Sequence, residues 1–478
     1  MKKPVVFDPT CWTKNKRAQT PGRTIEKIIS LIIRKRTITF LPGLKQNDRF
    51  GRRFAGNFLP LSIQKNFYMK KWIILFGLLW AWQLPAQDKA EDFTTNQPGS
   101  KYRFHDIVLL PHTPVKNQNR TGTCWSFSTL SFMESEALRK GKGEHDLSEM
   151  WVARHVYQGK AENYIRMDGK ANFAQGGEFH DIPWVMERYG LVTEKAYPGL
   201  HYGDTIHIHN ELEAVLKGMV DAVNRKPQKG HLTTAWKDAV RGTLDAYLGY
   251  VPKNTEEFTF EENGRRFTPK SFMKYLDLHP HDYVEITSFT HHPYYKPFVV
   301  EIPDNWQMAS AFNVPLDELV AITEHALKNG YTVAWGADVS EKGFSHRNGL
   351  AILPADERTV SDRKSKDLYL NIDGEKIPNA FMQPVPQKKV TPEMRQEWFD
   401  RKFTTDDHGM HIVGMAKDQN GMRYFIVKNS WGDSNALHGY FLVSEPYFRA
   451  KTIDIFIHKD AVPAATKKKN PCYFKHGE

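Results

Sequence analysis

Cysteine is scarce in this chain. Cys11, Cys124 and Cys472 are the only three in 478 residues, too few for a disulfide framework. A single Cys124–Cys472 bridge would consume a thiol whose neighbours, Gly, Trp and small hydroxylated residues, suit reactivity. Long hydrophobic runs are also missing: the most apolar stretch, Trp72 to Trp82, is 11 residues long, where a helix needs about 20 to cross a bilayer. No segment repeats.

Excess charge is confined to one end. The formal charge is +11, yet residues 1–68 alone hold 15 Lys+Arg against 3 Asp+Glu and the remainder nets −1. A basic surface for nucleic acid therefore rests on the N-terminal segment only, and no nucleic-acid partner is expected. With 40% hydrophobic and 25% charged residues, the composition is that of a globular protein with a sizeable core.

The short apolar run has the flanks of a targeting segment. Met69-Lys70-Lys71 precedes it, and Leu84-Pro85-Ala86-Gln87 offers a small residue at a cleavage point. This is the layout of a secretory signal; the plain alternative is a buried core helix. Residues 1–68 are then a basic extension, disordered or not translated natively, 69–87 a signal peptide, and the mature protein is exported, periplasmic or secreted, with no stable membrane insertion. A cytoplasmic protein is the alternative.

Periodicity divides the rest. Trp125, Leu130, Met133, Ala137 and Leu138 predict a helix opened by Cys124 and stopped at Gly141. Ser148 is placed to cap a second, and Ile182, Val185, Met186 and Tyr189 mark a third that ends at Gly190. Leu212, Val215, Leu216, Met219, Val220 and Val223 form an amphipathic stripe, Trp236 to Leu248 another, and Thr268-Pro269 opens a further helix. Residues 283–302 alternate as strands, and Pro315–Leu327 is helical before the strand Tyr331–Trp335. Residues 88–103 are polar and predict a loose lead-in; 354–400 read as a polar excursion. From His408 the chain turns to strands: His408–Met415, Arg423–Lys428, Gly439–Val443 and Thr452–His458.

Three local contexts carry chemistry. Gln118-Asn119-Arg120-Thr121-Gly122-Thr123-Cys124-Trp125-Ser126-Phe127 puts a thiol at the start of a helix, where the helix dipole and a nearby imidazolium would lower its pKa. Gly122 lets the backbone turn there, and the Cys124 amide with the Gln118 side chain could bind an oxyanion. Asp407-His408-Gly409-Met410 supplies a base beside a residue with no side chain. Asn429-Ser430-Trp431-Gly432 supplies a side chain to orient the imidazole and an indole to shield that hydrogen bond. Taken singly, each has a bland reading: an inert buried Cys, a polar loop Gln, a turn between strands. His411 competes with His408, and the pair suggests a metal site. Strand alternation sends the two rings to opposite faces, so no metal is expected.

Together with Pro114-Val115-Lys116-Asn117, Leu147-Ser148-Glu149, Gly176-Gly177, Val413-Gly414 and Lys428, these motifs resemble the papain-like cysteine peptidases. Two departures are similar to the bleomycin hydrolase and aminopeptidase C branch: Thr121 stands where a disulfide Cys is usual, and 284 residues separate Cys124 from His408, against about 130–150 in papain itself. Glu187-Arg188-Tyr189-Gly190-Leu191-Val192 and Ala334-Trp335-Gly336-Ala337-Asp338-Val339 also resemble that branch. The resemblance implies an α+β papain-like fold over 88–460, with a helical half carrying the nucleophile helix, an antiparallel β-barrel-like half, a helical insertion at about 203–330 and the excursion at 354–400. It implies Cys124 as nucleophile, His408 as base and acid, Asn429 as orienter and Gln118 in the oxyanion hole. Gly176, Gly177 and Trp431 would meet the peptide substrate. No cofactor is implied, and a homo-oligomer, a hexamer with its sites facing a central cavity, is. An aminopeptidase is the expected activity, with a C-terminal arm in the cleft to limit it to chain ends; the tail 461–478 has no arm motif to match. A secreted endopeptidase and a catalytically silent binding protein on the same fold are the alternatives.

N-terminal sequencing of the exported protein should give a start near Gln87 or Asp88. A start at Met1 in a protein retained in the cytoplasm would overturn the targeting reading.

Overall fold

The computed structural model describes residues 93–225, 230–362, 366, 368–370 and 374–475. The expected extension and signal segment lie outside the described residues.

The helical half begins with α1 (Cys124–Arg139), α2 (Glu149–Arg166) and α3 (Asp181–Tyr189). The Ser148 hydroxyl accepts from the Trp151 amide at 3.0 Å, the predicted cap, a contribution of about 1 kcal/mol. The insertion adds α4 (Asn210–Asn224), α5 (Ala235–Leu248) and α6 (Pro269–Tyr275), the last opened by a capping box at Thr268. On α4 only Leu212, Leu216 and Val220 are buried, a stripe narrower than the sequence pattern because Val215 faces solvent. These six helices share one apolar core with Phe132, Trp151, Leu244 and Phe272 at its centre.

The other half is an open sheet of eleven strands: β1 (Phe104–Leu109), β2 (Tyr283–Thr287), β3 (Pro297–Val299), β4 (Ser310–Asn313), β5 (Val333–Ala337), β6 (Phe344–Ser345), β7 (Leu350–Ala351), β8 (His408–Asp418), β9 (Arg423–Lys428), β10 (Tyr440–Ser444) and β11 (Thr452–His458). Their order is β3-β4-β2-β11-β5-β8-β9-β10-β7-β6, with β1 also pairing β8. All pairs are antiparallel except β2–β4 and β10–β7. The path does not close on itself among the described residues, so the barrel-like half is an open sheet. Three further helices, α7 (Leu316–Lys328), α8 (Pro392–Asp400) and α9 (Glu445–Lys451), accompany the sheet, and α7 and α9 add to its core.

Three expectations need correction. The insertion is not helical throughout: from Tyr283, in the stretch that alternates as strands, the chain enters the central sheet, where Glu285 lies opposite Phe456, and helix returns only with α7. The lead-in is packed from Phe93 onward, since Tyr102 stacks on Phe104 at 5.4 Å and both meet Tyr424 edge-on. The excursion holds α8, whose Thr391-Pro392 start repeats the cap signal of Thr268-Pro269. The tail is anchored, with Phe474 edge-on to Phe312 at 5.0 Å and the Tyr473 hydroxyl donating to the Glu285 carbonyl at 3.2 Å.

Phe474→Ala should therefore cost about 3–5 kcal/mol of stability, as for other buried aromatic truncations, read from urea unfolding midpoints. A cost below about 0.5 kcal/mol, typical of surface sites, would mean the tail is not part of the core.

Candidate active site

The site forms where α1 lies across β8. Gly409 allows the contact: a Cβ there would stand 2.7 Å from Ser128 Oγ and 3.2 Å from Trp125 Cα. Gly122 has a similar reason. Its φ is not positive, so the turn itself does not require glycine; a Cβ would meet Gln175 Cβ at 2.9 Å. The Gly122 amide donates to Gln175 Oε1 at 2.7 Å, and the Trp125 indole to the Gln175 carbonyl at 3.0 Å. Thr121 bonds to the Gln118 carbonyl and to the Thr123 hydroxyl at 2.9 and 2.6 Å. Hydrogen bonds thus tie down the segment that has Thr121 in place of a disulfide cysteine.

One cleft is lined by Cys124, Gly176, Gly177 and His408 together. His408 Nε2 is 2.7 Å from Asn429 Oδ1, which leaves Nδ1 as the ring nitrogen for proton exchange with a thiol. Trp431 stacks on the imidazole, ring centroids 4.6 Å apart and planes at 28°, so the pair is covered by the predicted indole. Asn429 Oδ1 also accepts from the Ser430 amide at 2.7 Å. The Gln118 side chain is fixed at both ends: Oε1 accepts from Ser430 Oγ at 2.6 Å, and Nε2 donates to the Thr121 carbonyl at 2.7 Å. One amide hydrogen is left for another acceptor.

His411 takes the other face of β8, with Nδ1 2.8 Å from Ser131 Oγ on α1. Beside it the buried Lys428 ammonium donates to Thr113 Oγ1 and Ser131 Oγ at 2.9 and 2.7 Å. Thr113 in turn donates to Glu134, which also accepts from Lys116. This network binds α1, β8 and β9 beneath the site. Burial draws Lys428 down to about 8, and both His411 and His408 fall, His408 to about 4 despite the Asn429 bond, which favours its charged form.

The thiol departs from expectation. Cys124 keeps an edge open to the cleft, yet the protein around its sulfur pushes it up to about 12, and Asp406 and Asp304 add to the rise. The Gly409 and Trp125 amides oppose the rise without cancelling it. Each shift is the cost of charging one group alone. A thiolate and an imidazolium formed together attract, and the pair is favoured over either charge by itself.

Acidic residues surround the cleft: Glu178, Asp304 and Asp406, all missed by sequence reasoning, line it together with Asp407. Glu178 directly follows Gly176-Gly177 and Asp406 precedes Asp407-His408, so motif adjacency could have found them; nothing in Pro303-Asp304-Asn305 signals the third. Lys160, also missed, is buried and donates to the carbonyls of Gly176 and, at 3.1 Å, Ala174. Two groups of the described residues have the composition of cation ligands, Glu178–Glu285–Asp454 and His291–His292–Glu301. Neither contains His408 or His411.

The chain matches the model of the Peptidase C1-like family over residues 88–355 and 390–472. It is 26% identical over 387 residues to aminopeptidase G of Lactobacillus delbrueckii subsp. lactis, covering 73% of this chain and 82% of that protein. It is 24% identical over 403 residues to aminopeptidase C of Listeria innocua serovar 6a, covering 76% and 85%. The crystal structure of pepw from Lactobacillus rhamnosis hn001 has the same fold, with a TM-score of 0.58 at 18% identity over 87% of this chain and 96% of that one. With its Cys124, His408 and Asn429 in one constellation, the chain belongs to the Peptidase C1-like family.

Proposed function

We propose that this protein is a cysteine aminopeptidase, with Cys124 as nucleophile, His408 as base and acid, and Asn429 as the residue that holds the imidazole. The observation that carries the reading is the 2.7 Å bond from Asn429 Oδ1 to His408 Nε2 under Trp431, in the same cleft as Cys124. The activity named for its relatives, aminopeptidase, supports the exopeptidase choice over an endopeptidase.

The thiol proton passes to His408 Nδ1 as sulfur attacks the substrate carbonyl. Formation of the charge pair inside the attack complex offsets the burial cost that each charge meets alone. Gln118 and the backbone amide of Cys124 stabilise the tetrahedral oxyanion. The imidazolium then gives its proton to the leaving amine, and water hydrolyses the thioester with His408 again as base. Backbone at Gly176-Gly177 pairs with the substrate, and export by the segment around 69–86 places the activity outside the cytoplasm.

Cys124→Ser should lower kcat/KM on aminoacyl coumarylamides by at least about a thousandfold, with iodoacetamide labelling of the wild-type site at Cys124. Wild type should cleave free-amino substrates and leave N-acetylated ones largely intact; equal cleavage of both would select the endopeptidase. For Asn429, the sign follows from its bond to His408, which favours imidazolium. Asn429→Ala removes that support, so the His408 pKa falls and the acidic limb of the kcat/KM profile moves to lower pH. Asn429→Asp should move it to higher pH. An acidic limb that both substitutions leave in place would exclude the orienting role.

A further inference from the structure

The cleft holds more carboxyl groups than thiol chemistry requires. Four carboxyl groups, Glu178, Asp304, Asp406 and Asp407, share its lining with Cys124 and His408, and no Lys or Arg lines it. Asp407 is engaged elsewhere, accepting from Thr405 Oγ1 at 2.7 Å and the Val339 amide at 3.3 Å. The other three face one another. Asp304 accepts from Asn172 at 2.8 Å, and its carboxylate lies so close over Gly176 that a Cβ there would meet it at 1.8 Å. Asp406 is hydrogen-bonded to Glu178 and repelled by Asp304.

Glu178 supplies a second, independent sign. It is 5% exposed, and its Oε1 is enclosed without a hydrogen-bond partner. A buried carboxyl oxygen left unsatisfied beside two further carboxyl groups is costly unless a donor arrives. The nearby buried ammonium, Lys160, is already engaged by the carbonyls of Ala174 and Gly176. Asp406 and Asp304 also both oppose ionisation of the Cys124 thiol, which places them within electrostatic reach of the reacting sulfur.

A free amino terminus has the matching chemistry. Its ammonium brings three donors and one positive charge, and it is two bonds from the carbonyl carbon of its own residue. We propose that Asp304 and Asp406, backed by Glu178, form the subsite that binds the α-ammonium of the substrate's N-terminal residue. The proposal deepens the aminopeptidase reading and rests on it. Asp304 sits over Gly176, the residue assigned to pair with substrate backbone, so an ammonium bound there belongs to a residue already in the cleft. Burial raises both carboxyls above the usual carboxylate range; a bound ammonium favours their ionised forms and offsets their opposition to a forming thiolate, which an acylated substrate cannot do.

The test compares kcat/KM for leucyl coumarylamide and its N-acetyl derivative on the full chain, in wild type, Asp304→Asn, Asp406→Asn and the double variant. Each single substitution should lower kcat/KM for the free-amino substrate roughly tenfold to a hundredfold, the size of a lost charge-assisted hydrogen bond, largely through KM. The N-acetyl substrate should be unaffected or cleaved faster, so that the preference collapses in the double variant. Folding is monitored by thermal melting. As a readout that needs no variant, leucinamide should protect wild-type Cys124 from iodoacetamide at concentrations where N-acetyl-leucinamide does not. A double variant with a normal melt that keeps the wild-type preference overturns the ammonium subsite alone, and so does equal protection by the two amides. A wild type that cleaves both substrates equally overturns the aminopeptidase reading and the subsite with it.

Discussion

The approach of helix α1 to strand β8 governs this active site. Gly409 follows His408 on the strand and has no side chain, so Ser128 and the backbone of Trp125 occupy the space a Cβ would need. Cys124 and His408 come from opposite halves of the fold, 284 residues apart in sequence, and share a cleft only because this crossing is tight. The polar network underneath adds direction to the apolar contact. Ser131 on α1 meets both His411 on β8 and Lys428 on β9. Because adjacent strand residues face opposite ways, fixing Lys428 into that network turns the next residue, Asn429, toward His408. The buried layer and the cleft layer are therefore set by one alternation.

Charge is distributed against the resting ion pair. Burial opposes the thiolate and the imidazolium separately, and the acidic residues at the cleft oppose the thiolate again. The positive end of α1 and the amides of Trp125 and Gly409 do not offset this by themselves. A site so arranged gains from a substrate that carries its own positive charge, since an ammonium opposes the effect of the acidic residues on the sulfur. Selectivity for a free amino terminus and ease of thiolate formation then have a common electrostatic origin.

Much of this was legible in the sequence where local patterns dictate local structure. The cap at Ser148, the Pro-initiated helix at Thr268 and the strand bearing His408 follow from side-chain chemistry within a few residues, and the triad candidates follow from motif context. Long-range decisions were not legible. Residues 283–287 alternate like any half-buried strand, and nothing local says that they pair with Thr452–His458 at the far end of the chain. Phe93 and Tyr102 lie in a polar stretch; their burial depends on Tyr424 and Tyr440, more than three hundred residues away. The thiol pKa failed for a related reason: a helix start is a local feature, whereas the desolvation around Cys124 and the carboxylates facing it are assembled from four separate segments.

The insertion explains why the acidic wall was the hardest part to foresee. A chain of this fold needs no Asp304 to build its triad, and the residue belongs to a segment between two strands that the triad does not touch. The segment nevertheless returns to the helical half: Asn163 on α2 donates to the Trp306 carbonyl at 2.9 Å, and the Trp306 indole donates to Asp181 at the start of α3 at 3.0 Å. Gly176 is then confined from two sides: its carbonyl accepts from Lys160, and the Asp304 carboxylate fills the space a side chain would need. Lys160 and Asp304 attract one another, so the cation that holds the Gly176 carbonyl also favours an ionised carboxylate above it. The insertion thus supplies one wall of the cleft and part of the rigidity around it.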